Sequence, residues 1–473
     1  MRRLSFAILL LLGSVGASTA DERPHILYIN ADDLGVMDVG YRDPRFHTPN
    51  IDRLVREGLS FTEAYAPAAN CAPSRACVHS GQWGPRHGVY TVGSSERGKP
   101  AHRRLVPVKN ARHLPPSVVT MAEALQSAGY RTAHFGKYHI GADPTADGFD
   151  INVGGDSGGS PSGGYYSPWT KGPMKAWSDS VLAGTHRIDV FVREAVRLIE
   201  EPGGKPLFLH FSPYLVHSPL TPVPEHLARY EGGPLNATYA SMVSKFDEAV
   251  GRLLKALDDR GQADQTLVLF SSDNGGIAAV NAQTPYRAGK GSYYEGGVRV
   301  PLVVRWPSVI NAGSQSQTPV TTLDLYPTFL EAADADVPDG VVLDGRSLLP
   351  QLTGQGDAPA RTHFWHFPVY LQAYSAGRDN GRDPLFRTRP GSTVRHGRWK
   401  LHEYFEDDRV ELYDLTDDPG ERTDLSESQP ERAAELLREL HDWRSAVEAP
   451  VPVRPNAAFD PAAEARARSR YEN

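Results

Sequence analysis

Two short acidic clusters, Asp32-Asp33 and Asp273-Asn274-Gly275, each follow directly on an apolar run, and together they offer three carboxylates and an amide carbonyl. Oxygen donors of this kind suit a hard divalent cation, Ca²⁺ above all. Taken singly, each cluster is also what an ordinary turn is made of. Their company argues for chemistry. Lys137-Tyr138-His139, His217-Ser218-Pro219 and Lys290 add compact cations for an anionic group and imidazoles suited to proton transfer near neutral pH. Lys290 stands among glycines, in Tyr286-Arg287-Ala288-Gly289-Lys290-Gly291-Ser292-Tyr293-Tyr294-Glu295-Gly296-Gly297, which points to close backbone approach. Cys71, in Cys71-Ala72-Pro73-Ser74-Arg75, reads by itself as a buried thiol at a loop-to-helix junction.

The elements that must hold these groups follow from hydrophobic rhythm. Short apolar runs at residues 25–29, 132–135, 207–211 and 267–271 alternate with helix-period segments at 119–128, 189–200 and 237–260. This predicts an α/β fold with a large mixed, mostly parallel sheet sandwiched by helices. In such sheets ligands gather beyond the carboxyl ends of the strands, where Asp32-Asp33, Lys137 and Asp273-Asn274 all fall. The Gly- and Ser-rich stretch 153–168 is expected to be a long loop lining the site. Residues 393–395, 399–402 and 410–413, with a turn at His396-Gly397, predict a smaller C-terminal antiparallel sheet. Residues 430–447 close it with a helix that buries Leu436, Leu437, Leu440 and Trp443. Cys77 is expected to pack a helix that starts at Arg75, and Asn236 to cap the long helix after it.

Composition bounds the rest. Residues 1–20 carry Arg2-Arg3, an apolar middle and a small-residue end, which reads as a cleavable signal peptide. We therefore expect a secreted or periplasmic protein without a membrane anchor. The expected division is a catalytic domain at 21–360, a C-terminal subdomain at 361–455 and a peripheral tail at 456–473. Two cysteines make no disulfide framework. The net charge of −7 becomes −9 once the two leader arginines are set aside, which argues against nucleic acid as a partner.

The run Cys71-Ala72-Pro73-Ser74-Arg75-Ala76-Cys77-Val78-His79-Ser80-Gly81 resembles the maturation signature of the formylglycine-dependent sulfatases, arylsulfatase-like members of the alkaline phosphatase superfamily. The resemblance extends from His25 through Thr48-Pro49-Asn50-Ile51-Asp52 to Leu412-Tyr413-Asp414-Leu415, with Gln82 and Tyr138 as mild departures. It implies that a formylglycine-generating enzyme converts Cys71 to an aldehyde whose hydrate is the nucleophile. It also implies one Ca²⁺ per chain, held by Asp32, Asp33, Asp273, Asn274 and the modified Cys71. Arg75 would steady the nucleophile, Lys137 and Lys290 hold sulfate oxygens, His217 protonate the leaving alcohol, and His139 take the proton whose loss restores the aldehyde. The expected activity is hydrolysis of sulfate monoesters, with a sulfated carbohydrate as substrate. His366 and Arg387, near Trp365, Tyr370, Arg389 and Arg395, are expected to offer it stacking faces and cations. The rival readings are a phosphate or phosphonate monoester hydrolase of the same superfamily, and a sulfated-glycan binding protein whose Cys71 is never converted.

Overall fold

The computed structural model describes residues 23–201, 203–356, 359–375 and 377–471, so the expected leader lies outside the described residues. In chain order the strands are β1 (His25–Ala31), β2 (Leu59–Phe61), β3 (Ala64–Tyr65), β4 (Arg131–Gly136), β5 (Ile151–Val153), β6 (Leu207–Ser212), β7 (Thr266–Ser272) and β8 (Leu302–Arg305). They continue as β9 (Ser314–Ser316), β10 (Val320–Thr321), β11 (Thr362–Phe367), β12 (Leu371–Gln372), β13 (Phe386–Thr388), β14 (Gly391–His396), β15 (Trp399–Tyr404) and β16 (Arg409–Asp414). Eight form one sheet in the spatial order β5-β4-β6-β1-β7-β8-β2-β9. The first five run parallel, and β8 is antiparallel to both its neighbours.

Parallel strands are covered on both faces, which is why these segments read as unbroken apolar runs. In β1, Leu27 and Ile29 join the core beneath helices Pro49–Glu57, Arg187–Glu200 and Ala237–Asp259. Ile26 and Tyr28 point the other way, under helices Cys71–Ser80, Met121–Ser127 and Leu325–Ala332. The mostly parallel, helix-sandwiched sheet is thus as expected. Helix Cys71–Ser80 begins four residues before the expected start at Arg75, because Pro73 is tolerated in a first turn where its missing N–H is no loss. All ten of its residues are buried, so no polar face marks its register.

β11-β14-β15-β16 form the antiparallel C-terminal sheet, with Gly397 in the left-handed region at the β14–β15 turn. Helix Pro430–Ala446 packs Leu436 and Leu440 on its Val394, Leu401 and Leu412. The tail, expected to lack a core pattern, is ordered as helix Pro461–Arg468, capped by Asp460. Its anchor is ionic: buried Glu464 meets Arg389 at 2.6 Å, a contact that hydrophobic periodicity does not register. The small sheet is also tied to the larger part through buried ions. Lys400 of β15 lies 2.9 Å from Glu295 and 3.1 Å from Glu421, and Tyr294 donates to Glu411 at 2.5 Å. Among the described residues, no helix is long and apolar enough to cross a membrane.

Candidate active site

Adjacent strands β4, β6, β1 and β7 end at one rim, and each releases polar residues there. Directly after β1, Asp32 accepts from Lys137 Nζ at 2.8 Å on both carboxylate oxygens, and Lys137 itself follows β4. Asp33 accepts from Lys290 Nζ at 2.7 Å and from Asn274 Nδ2 at 2.9 Å, while its backbone N–H donates to Asp273 Oδ1 at 3.1 Å. Arg75, on the first helical turn after Cys71, donates from Nε to Asp273 at 2.8 Å and from Nη1 to Lys137 O and Ser212 Oγ. One guanidinium therefore ties the ends of β4, β6 and β7 together. Cys71, at the helix N-terminus, forms with Asp32 and Asp273 a group whose donor atoms all lie within 4.8 Å of one another; Asp32, Asp33 and His217 form another.

His217 follows β6. Its Nδ1–H donates to Ser218 O at 2.6 Å, which fixes the tautomer and leaves Nε2 facing Asp33 at 3.7 Å. Tyr165, in the Gly- and Ser-rich loop, donates to the carbonyls of Tyr214 and His217 at 2.7 and 2.6 Å. His139 lies under Gly159 of the same loop, and its buried Nδ1 has no hydrogen-bond partner among the described residues.

The electrostatics are those of crowded acids among cations. Burial raises the Asp32 carboxyl to about 6 against the pull of Lys137, and burial with Asp32 nearby raises Asp273 against Arg75. For Asp33 the same burial is outweighed by Lys290, His217 and Lys137, which hold it well below the usual carboxylate range. Burial acts to raise the Cys71 thiol too, yet Lys137 and Lys290 bring it below its ordinary value. Burial and then Lys137 depress His139 to about 3 and His217 to about 4, so both imidazoles are neutral at pH 7. Like carboxylates this close resist joint ionisation, and a divalent cation among them relieves that repulsion. The donors fit one: three carboxylates converge with Asn274, whose buried Oδ1 has no partner among the described residues while its Nδ2 is engaged.

The rim thus draws together Asp32, Asp33, Cys71, Arg75, Lys137, His139, His217, Asp273, Asn274 and Lys290. Arg387 stands behind Lys290, donating to its carbonyl at 3.3 Å. His366 is a correction. Its Nδ1 pairs with Ser392 Oγ at 2.8 Å and its Nε2 with Pro450 O at 3.0 Å, and the buried ring packs against Tyr90 and Trp443, so neither nitrogen is offered to a substrate. Ser212 and Tyr165 carry no sequence signal of their own; only the hydrogen bonds reveal them. Beneath the rim, His134 and His210 meet at 3.1 Å as cross-strand partners of β4 and β6, with His79 beside them.

Comparison with known proteins agrees with this geometry. A family model described as Sulfatase matches residues 24–335, and one described as N-sulphoglucosamine sulphohydrolase, C-terminal, matches residues 289–446. The chain is 33% identical to a sulfatase of Formosa agariphila, over 92% of this chain and 91% of that one. It is 31% identical to arylsulfatase A of Bos taurus, over 91% and 88%. The solved structure of Ps i-CgsB in complex with k-i-k-neocarrahexaose superposes with a TM-score of 0.70 at 29% identity, covering 89% of this chain and 92% of that one. With a family match across most of its length and relatives similar nearly end to end, the chain belongs to the sulfatase family of the alkaline phosphatase superfamily and is a sulfuric ester hydrolase.

Proposed function

We propose that this chain is an exported sulfatase that removes sulfate monoesters from a carbohydrate, using a formylglycine made from Cys71 and one bound Ca²⁺. One observation carries the reading: Cys71 Sγ shares a 4.8 Å cluster with Asp32 and Asp273, beside the unpartnered carbonyl of Asn274. A thiol is a soft donor among hard oxygens, and an oxygen-bearing group at residue 71 removes that mismatch. When present, the hydrated aldehyde supplies an oxygen nucleophile, and Ca²⁺ held by Asp32, Asp33, Asp273 and Asn274 draws negative charge from a sulfate oxygen.

The chain's own residues do the rest. Lys137 and Lys290 neutralise the sulfuryl oxygens as point charges. Arg75 fixes Asp273 and orients residue 71. His139, neutral and with an unengaged nitrogen, accepts a proton from the group at residue 71. His217 holds its tautomer through Ser218 O, and an anionic ester beside Nε2 favours its protonated form, which then donates to the departing alcohol oxygen. A sulfated carbohydrate as substrate is supported by the oligosaccharide named with Ps i-CgsB. Export rests on residues 1–20, and residues 21–360 are the catalytic domain, with 361–455 as the subdomain and 456–473 as the tail.

The test is mass analysis of the Cys71 peptide from host-made protein, together with turnover of matched sulfate and phosphate esters before and after calcium chelation and refilling. Conversion of the thiol, preference for sulfate and calcium-dependent rate are expected. An intact thiol in a protein that binds but does not cleave sulfated glycans refutes the reading, and a preference for phosphate replaces it with the phosphoester one.

A further inference from the structure

Arg387 is only 4% exposed, yet among the described residues no carboxylate lies within ion-pair distance of it. Its Nε donates to Gln372 O at 3.1 Å and its Nη1 to Lys290 O at 3.3 Å, both backbone carbonyls. Arg389, two residues on and as deeply buried, meets Asp383, Glu406 and Glu464 at 2.5, 2.5 and 2.6 Å. The fold thus compensates one buried guanidinium fully and leaves its neighbour without a counter-ion, an arrangement that is costly until an anion arrives. Arg97 approaches the same place. Its Nε donates to Gln372 Oε1 at 2.8 Å and its Nη1 to Val92 O at 3.2 Å, and it too has no carboxylate partner among the described residues.

Asp379, whose charge reaches Arg387, is turned to the backbone N–H groups of Tyr374 and Ser375 at 2.7 and 3.3 Å. The Arg387 guanidinium lies 3.5 Å from the centre of the Tyr374 ring, and that ring is 49% exposed, unusual for an aromatic side chain in this chain. The β12–β13 hairpin presents Gln372 and Arg387 together, and Lys290 spans the gap: its ammonium is on Asp33 while its carbonyl is on Arg387. Arg387 therefore stands one residue's length from the cluster at Cys71, and Arg97 joins it through Gln372.

The geometry points to a second anion subsite, in which Arg97 and Arg387 bind a further negative group of the substrate, a sugar carboxylate or a second sulfate, and the Tyr374 ring gives the sugar a stacking face. The substrate is then a glycan bearing an anion beside the ester that is cut. This rests on the reading that the Cys71 cluster acts on sulfate esters, and the experiment separates the two.

Calcium-loaded, full-length protein carrying Cys71→Ser, which does not turn over substrate, is titrated calorimetrically with three matched disaccharides: one monosulfated, one with an added carboxylate, one with an added sulfate. At least one dianionic ligand is expected to bind roughly tenfold or more tightly than the monosulfated one, which identifies the second anion. Arg97→Gln in that background should abolish the preference. Arg387→Gln should do the same, and because Arg97 does not touch Lys290, its variant still decides the matter if Arg387→Gln misfolds. Equal affinities for all three ligands, or a preference unchanged in Arg97→Gln, overturns the subsite. Failure of matured, unsubstituted protein to cleave any aryl sulfate instead removes the reading of the Cys71 cluster.

Discussion

Replacing Lys400 with methionine tests how the two parts of the chain are held together. Lys400, Glu295 and Glu421 are all fully buried, and the ammonium serves both carboxylates, at 2.9 and 3.1 Å. Removing one partner of a buried ion pair leaves an uncompensated charge and costs about 3–5 kcal/mol. Here the stranded acids keep other donors. Glu295 retains Arg299 at 2.9 Å and the Tyr65 hydroxyl at 2.8 Å; Glu421 retains His402 at 3.0 Å and the Glu295 backbone N–H at 2.5 Å. Lys400→Met is therefore expected at the low end, about 3 kcal/mol. Urea unfolding followed by tryptophan fluorescence reads it, since Trp365 lies 5.9 Å from the ammonium. Adding Glu421→Gln should recover about 1 kcal/mol or more, because it removes one of the stranded charges. A loss below about 1 kcal/mol, or strictly additive single substitutions, would refute the reasoning.

Burial depresses His87 from 6.5 to about 4, beside Cys77 Sγ at 3.4 Å, so the unfolded chain takes up a proton there first. Its contribution is complete above pH 6.5 and is lost as pH falls toward 4, about 3 kcal/mol in all, so urea midpoints at pH 7.5 and 4.5 should differ less in His87→Gln than in the unsubstituted protein. Equal differences would count against it. In Gly297→Ala the new Cβ would sit 1.9 Å from Ser292 O and 2.5 Å from Gly289 O. Backbone cannot yield that far, so the variant should be insoluble or inactive, and wild-type melting and turnover would contradict this. Tyr165→Phe removes the hydroxyl donor from the carbonyls of Tyr214 and His217, leaving Tyr214 O only the His217 backbone N–H at 2.8 Å. It should lower kcat on an aryl sulfate roughly tenfold with little change in KM, through misplacement of His217; a kcat unchanged across pH would show that the hydroxyl has no positioning role.

Much of the rim was legible because its groups follow strands long enough to show a pattern. Asp32, Lys137 and Asp273 each stand one residue past a largely buried strand of six or seven residues. Strands of two to four residues, such as β2, β8 and the β12–β13 pair, are too short to carry a period, and they went unread. Helix Cys71–Ser80 starts earlier than its sequence suggests because a helix buried all round has no polar stripe to betray its first turn. The place of His366 is hidden for a related reason: an aromatic run in a strand does not say which rings face inward, and only the bonds to Ser392 and Pro450 settle it. Tyr165 and Ser212 act through partners 49 or more positions away in sequence, as with Tyr214 and Arg75, and no local pattern encodes that.

The shared ions between the segment around Lys290 and the small sheet bear on how such chains can be recombined. Tyr294 answers to Glu411, Glu295 to Lys400, and the backbone of Glu295 to Glu421, so the two stretches are matched to each other as well as to Tyr65 and Glu63 near β3. A chimaera that borrows a relative's C-terminal half to change its sugar preference must take residues 286–299 with it. A junction at the change of composition near Gly356 would mate each lock with a foreign key, and one upstream of Tyr286 must still keep Asp33, Glu63 and Tyr65 as partners for Lys290, Arg395 and Glu295.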